Sequence, residues 1–342
     1  MNNQMALALA FSLCATAAQP QSAEPDAFVC KSVPEPVVSL DHGSRYVADD
    51  KSRSDFDDAS NNDVNAQLEP VDNFISDLAV AANRAVSTPA DRSAATDCVL
   101  SGLAVWAGAD ALSDLATMNA QLSAPARVAG FAFAYAQVEP FLAGSKDKQV
   151  VETWLSARAR TTMTYFDTDA PKNASRNNLR AWAGLAVARI GLTVGDTAMK
   201  DWADASVRLV ACQAAADGSL PLEMARRELA LHYQLHAVTP LVVAAALLQA
   251  DGRTLFNACD RAIHRTVDFV LDGFDNAALV ETLTGYPQSY FNGTEKLRGF
   301  ELAWAPAYLS VFHAPRLAAF VEGYGALGNS KIGGRQSLLW GS

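Results

Sequence analysis

From Val71 to the C-terminus, apolar residues return every three or four positions, beginning with Val71, Phe74, Ile75, Leu78 and Ala82. That period places them on one face of an α-helix, and one such segment follows another. Between residues 96 and 270 Gly and Pro are sparse and Ala is abundant, and Ala costs least of all residues in a helix. The pattern predicts an all-α chain with helices near 71–86, 97–117, 125–142, 147–164, 176–194, 198–215, 222–249, 254–273, 299–312 and 315–324. Connectors such as Gly144-Ser145-Lys146-Asp147, Gly195-Asp196 and Asp217-Gly218-Ser219-Leu220-Pro221 are short. Consecutive helices should therefore run antiparallel as hairpins. No fixed-period repeat is visible, which argues against a solenoid and leaves a bundle or a toroid with a cleft at one end.

Ahead of the helices, residues 19–70 carry Pro, Asp, Ser and Asn with little periodicity and read as an N-terminal arm and loop, long enough to serve function. Residues 71–342 then form one helical domain. The run from Met5 to Ala18 is apolar, ends in small residues and is too short to span a bilayer, although no Lys or Arg precedes it. It reads as a signal peptide, residues 1–18, which predicts a periplasmic or secreted protein. Four cysteines follow: Cys30, Cys98, Cys212 and Cys259. An even number suits an oxidising compartment, and no pair has zinc-ligand spacing, so no metal is expected. A Cys30–Cys98 bridge would tie down the arm, whereas Cys212 and Cys259 lie in apolar helical settings that suit buried thiols as well as a bridge.

The formal charge of −10 gives no overall attraction for nucleic acid or an anionic membrane, and neither is expected as a partner. A monomer is expected. If the ligand is a polyanion, Arg and Lys must gather in a cleft against the global sign.

Two stretches could carry chemistry. In Asp217–His236 a turn leads into a helical pattern. At about 100° per residue, Arg226 and Tyr233 fall on one face two turns apart, with His236 three residues further along it. The same stripe has an ordinary reading in which Arg226 pairs with Glu223, Tyr233 buries its ring and His236 packs in the core or on the surface. In the second, Arg176-Asn177-Asn178-Leu179-Arg180-Ala181-Trp182, two amides and two arginines open a helix, which also reads as an N-cap followed by a core Trp.

Together these stretches resemble the alginate lyase family of helical-toroid polysaccharide lyases. The family pattern Asn-Asn-His-x-Tyr-Trp is matched at Asn177, Asn178 and Trp182. The pattern Asp-Gly-x-Leu-Pro-x-Glu, followed by an Arg and a Tyr seven apart, is matched at Asp217, Gly218, Leu220, Pro221, Glu223, Arg226 and Tyr233. Weaker similarity covers Cys30 with Ser32-Val33-Pro34, Ser44-Arg45-Tyr46, Ser52-Arg53-Ser54, the Phe300–Pro306 segment and Gly333-Gly334.

The resemblance implies an incomplete (α/α) toroid and an anionic uronate polysaccharide as partner, with no cofactor. It implies that Tyr233 removes the C5 proton and donates to the leaving oxygen, while Asn178 and Arg226 neutralise the carboxylate. One phenol can do both only where proton and leaving oxygen share a side of the ring, as in 4-linked β-mannuronate and β-glucuronate, which means syn elimination. Leu179 departs from the family by standing where the histidine belongs, and Ala181 replaces the tyrosine. His236 is the expected substitute for that histidine. Arg45, Arg53, Asn177, Arg180 and Trp182 are expected to bind substrate. Two other classes stay open: a non-catalytic uronate-binding or export-associated protein, and a helical-toroid glycoside hydrolase using Glu223 and Asp217.

Overall fold

A computed structural model describes residues 28–142, 144 and 146–341; the apolar leader lies outside the described residues. Eight longer helices and one short one carry the fold: α1 (Asp58–Ser87), α2 (Arg92–Gly108), α3 (Met118–Val138), α4 (Lys146–Thr168), α5 (Asn178–Val194), α6 (Thr197–Ala211), the short α7 (Pro221–Met224), α8 (Ala230–Ala250) and α9 (Ala258–Asp275). Helix α1 packs on α3, α3 on α5 and α5 on α8, while α2, α4, α6 and α9 pack on one another outside them. The result is two concentric helical layers, an incomplete (α/α) toroid. Four shorter helices follow, α10 (Ala277–Thr284), α11 (Ala305–Leu309), α12 (Pro315–Glu322) and α13 (Gln336–Trp340). Of these, α11 packs on α8 and on α13, which reaches α1. An inner helix is covered on every side and can be apolar all round. Accordingly α8 buries Leu241 to Ala246 without a break.

The expected helices are present in outline with several differences. The one expected over 97–117 ends at Gly108, and the next begins at Met118 rather than near 125. Helix α1 starts at Asp58 rather than near 71, capped by the Asp57 carboxylate, which accepts from the Ser60 N–H. Its first turns are largely polar, with Val64 and Leu68 facing the core and extending the stripe of Val71, Ile75 and Leu78 back by two turns. The helix expected over 299–312 is a single 3₁₀ turn, Gly299–Leu302, followed by α11. The helix expected over 222–249 breaks at Arg227, whose φ of 50° is left-handed. There a 3₁₀ turn, Arg227–Leu229, separates α7 from α8. The backbone groups freed by the break are taken up by Gln288, which accepts from Leu231 N and donates to the Arg227 carbonyl.

Both cysteine pairs are bridged, Cys30–Cys98 as expected and Cys212–Cys259 where the sequence left thiols as an alternative. The arm then follows the toroid: β1 (Ser39–Leu40) pairs in parallel with β2 (Asp114–Leu115). Near the C-terminus β3 (Gly328–Asn329) pairs antiparallel with β4 (Gly334–Arg335). Asn83 of α1 and Gln137 of α3 both donate to the Gly333 carbonyl, at 2.8 and 2.9 Å, and pin this hairpin against the inner layer. That anchorage places Lys331 at the mouth of the toroid.

Candidate active site

The Asp-Gly turn is dictated by crowding. Gly218 has φ +91°, and a Cβ there would lie 2.0 Å from the Arg265 carbonyl oxygen, so only glycine fits. Gln234 reaches back from α8, accepting from Leu220 N and donating to the Gly218 carbonyl, each at 2.9 Å. The turn aims Glu223 inward, where its carboxylate accepts from Asn178 N at 2.8 Å and Asn178 Nδ2 at 2.9 Å. The two sequence motifs are thus bonded to each other. Burial pushes the Glu223 carboxyl up to about 7, against the opposing pull of Asn178 and Arg226.

Although the helix is broken, Arg226 still reaches Tyr233: its guanidinium sits 3.5 Å from the centre of the phenol ring and 5.3 Å from that of Tyr46. It also donates to the Arg53 carbonyl, and no carboxylate lies within ion-pair distance of it among the described residues. The Tyr233 hydroxyl is hydrogen-bonded to that of Tyr46. Burial drives the Tyr233 phenol well above its ordinary range; Arg226 opposes this and Tyr46 adds to it.

Tyr46 belongs to the loop of residues 44–57, which forms the facing wall. Asp50 organises that loop by accepting from the N–H groups of Ser52, Ser54 and Asp55 and from the Ser52 hydroxyl. Tyr46 stacks on Phe56 at 5.0 Å, closing the loop on itself.

Between the walls run two joined lobes of ≈ 640 and ≈ 400 Å³ that share Arg45, Trp182, His232, His236 and Lys331. The smaller adds Arg53, Arg127, Asn178, Leu179, Arg226 and Tyr233; the larger adds Arg298, Asp72 and Glu301. The cleft is therefore basic in a chain of net charge −10, as a polyanion ligand requires. Asp72 serves two of the cations, Arg127 at 2.7 Å and Lys331 at 3.5 Å. Burial, with Arg127 beside it, lowers the Lys331 amine to about 8. His236 packs on Trp182 at 5.4 Å, and burial, with His232, Lys331 and Arg226 nearby, lowers it to about 3, so its imidazole is neutral. Asn178 Oδ1 and Trp182 Nε1, both buried, lack a hydrogen-bond partner among the described residues, which marks this floor as a place for ligand groups.

Of the residues expected in the site, Asn178, Arg226, Tyr233, His236, Arg45, Arg53 and Trp182 line the cleft. Two expectations are corrected. Arg180 faces the outer layer: buried, it pairs with Asp167 at 2.9 Å, donates to Ser206 Oγ and stacks on Trp202 at 4.2 Å. Two positions after Asn178 on a helix, it points to the opposite side. Asn177 caps α5, its side chain accepting from Leu179 N, and does not line either lobe. Tyr46, His42, Arg127, His232, Arg298 and Lys331 were not anticipated. His232 left a signal, since it stands four residues before His236 and so shares its side of a helix, and Tyr46 falls in the weakly matched stretch Ser44-Arg45-Tyr46.

A toroid whose basic cleft holds a phenol under a guanidinium belongs with the polysaccharide lyases. Residues 16–279 match the family model described as alginate lyase. A polysaccharide lyase of Stenotrophomonas maltophilia is 32% identical over 243 residues, 70% of this chain and 72% of that protein. An alginate lyase of Pseudomonas syringae pv. syringae is 26% identical over 295 residues, 83% of this chain and 75% of the other. The crystal structure of alginate lyase A1-III from Sphingomonas species A1 shares the fold, with a TM-score of 0.73 at 22% identity over 91% of this chain and 86% of that one. The chain belongs to the alginate lyase family and is a carbon–oxygen lyase of the polysaccharide-cleaving class.

Proposed function

We propose that this cleft cleaves 4-linked β-D-uronate polymers, of mannuronate or glucuronate, by syn β-elimination. The observation that carries the reading is the Arg226 guanidinium 3.5 Å from the Tyr233 ring, with Asn178 lining the same basic lobe. In the reaction Tyr233 oxygen takes the C5 proton, the C4–O4 bond breaks as C4=C5 forms, and Tyr233 returns a proton to O4. Burial and Tyr46 favour the neutral phenol, and the Arg226 guanidinium over the ring opposes them and brings the phenolate within reach. A uronate C5 proton is hard to remove beside a carboxylate anion. The amide of Asn178 and the guanidinium of Arg226 therefore act where charge develops. Glu223 holds the amide in place.

Alginate lyase A1-III has been solved with tetrasaccharide, which supports a polymer lying along such a cleft. Two disulfides support work outside the cytoplasm. Leu179 lines the lobe with no polar group, so the donor that the family pattern places there has to come from α8, which brings His232 and His236.

Incubation with poly-mannuronate, poly-guluronate and a glucuronate-containing exopolysaccharide, followed by absorbance of the C4–C5 double bond, tests the reading. Product should appear on a β-uronate polymer and not on poly-guluronate. Tight binding with no product on any of them would overturn elimination in favour of a non-catalytic uronate-binding protein.

A further inference from the structure

We propose that His232, oriented by Glu295, is the imidazole that contacts the uronate carboxylate and supplies the donor that Leu179 does not. This rests on the elimination reading above and assigns a residue of the same site.

Four observations converge on His232. Its Nδ1 lies 2.9 Å from Glu295 Oε1, while the other oxygen of that carboxylate accepts from Ser289 Oγ. Glu295 is fixed in turn by its own N–H, which donates to the Ser289 carbonyl at 3.0 Å. A carboxylate on Nδ1 sets the tautomer and ring orientation, leaving Nε2 as the working nitrogen. That atom has no partner among the described residues. The ring lines both lobes of the cleft, with 29% of its side chain exposed. It also stands edge-on to Tyr233 at 5.0 Å, beside the phenol that moves the proton. Tyr290 stacks on it at 6.1 Å and is itself held by Glu301 at 2.7 Å, so the ring is braced from behind.

His236 lacks these supports. It lies against Trp182 with no carboxylate at ion-pair distance among the described residues, and burial keeps it neutral. Of the two α8 imidazoles, only His232 has a carboxylate on one ring nitrogen while its ring lines both lobes of the cleft. The groups facing it are Glu295, Tyr290 and Glu301 from the segment after α10, Tyr233 and His236 on its own helix, and Arg226, Arg298 and Lys331 in the shared cleft. The proposed step is a hydrogen bond from Nε2–H to the substrate carboxylate as C5–H breaks. The proton that moves still passes through Tyr233.

The test compares His232→Ala, His232→Gln and Glu295→Gln with the wild type on the polymer it cleaves. His232→Ala should lower kcat about 10²-fold with KM changed little, within the span of typical acid–base side-chain effects. His232→Gln should recover about a tenth of wild-type kcat, because its amide N–H can stand in for Nε2–H, and Glu295→Gln should fall between the two. A purely structural role would lower Tm in all three with no recovery by Gln. Independently of turnover, ¹⁵N-histidine-labelled protein is titrated with tetramannuronate. The His232 Nε2 resonance should move while Nδ1 stays near its starting position. Movement without turnover on any polymer would sink the lyase reading and leave the His232 contact standing. An unmoved Nε2, or His232→Ala turning over like wild type, would overturn the proposal.

Discussion

The helical wall of the cleft and its loop wall are held by different physics. On the α5–α8 side, Asn178, Glu223, Gln234 and Gln288 are buried: Asn178 donates twice to Glu223, Gln234 bonds the backbone of Gly218 and Leu220, and Gln288 bonds that of Arg227 and Leu231. Such groups cannot let go without leaving a desolvated donor or acceptor, at a cost of about 1–3 kcal/mol each. Residues 44–57 opposite are largely exposed and are organised by one carboxylate, Asp50. The walls meet through the paired hydroxyls of Tyr46 and Tyr233, the Arg53 carbonyl under Arg226, and Arg227 at 3.9 Å from Asp50. Chemistry and closure are therefore separable here: one wall fixes the reacting groups, and the other covers them through a small, local device.

Substitutions can break that division. The largest effect is expected at Tyr233→Phe, which keeps the ring under Arg226 and removes the proton carrier. Turnover should fall about 10²–10⁴-fold at nearly unchanged Tm, measured by double-bond absorbance and calorimetry. If turnover survives, the helical wall does not hold the chemistry.

Next in size is Asp50→Ala, which removes the loop's organiser. KM should rise about tenfold while kcat falls less, since the helical wall is untouched; steady-state kinetics on a polymer substrate read both. Burial would raise the Asp50 carboxyl, but the bonds from Asp55, Ser52 and Ser54 outweigh it and hold it well below the usual carboxylate range. A carboxylate depressed in the folded state stabilises at pH above its unfolded value and loses that contribution only as pH falls through the folded one. The wild-type loop should therefore stay closed through mildly acidic conditions, and KM measured down to pH 5 should show no loop-opening step.

The smallest effect is expected at a third element, the β3–β4 hairpin. The Lys331 amine sits near 8, and a bound polyanion favours its charged form, so binding takes up a proton there. Oligouronate affinity should weaken by about two- to fivefold as pH rises through 8, on the scale of one partly exposed ion pair. Lys331→Met should bind at the weaker level and flatten that step in a calorimetric titration.

How much of this was readable in the sequence follows the same division. Period and connector length suffice for the inner and outer helices because burial of a stripe writes itself into residue spacing. The Asp-Gly-x-Leu-Pro segment and the Arg226–Tyr233 pair were legible for a related reason, since Gly218 has no alternative beside Arg265. The break at Arg227 was not, because Arg, Arg and Glu are all good helix formers, and what ends the helix is Gln288, some sixty residues away in the chain. Arg180 was misplaced for want of a partner: nothing local shows that Asp167 and Trp202 wait on the outer side. His232 was passed over because the stripe was drawn through Tyr233, and its carboxylate comes from a distant loop. Loop positions such as Tyr46 carry no period, so their place in the cleft depends wholly on tertiary contacts.

The two disulfides acquire a meaning when set against the cleft. One ring, closed between Cys30 and Cys98, contains residues 44–57; the other, closed between Cys212 and Cys259, contains Glu223, Arg226, His232, Tyr233 and His236. A protease cut within either ring, for instance at the exposed Arg227, would open a peptide bond without releasing a fragment. Nicked molecules should run as one band on a non-reducing gel and as two after reduction, and the pieces that form the cleft would stay at molar-scale proximity rather than diffuse apart.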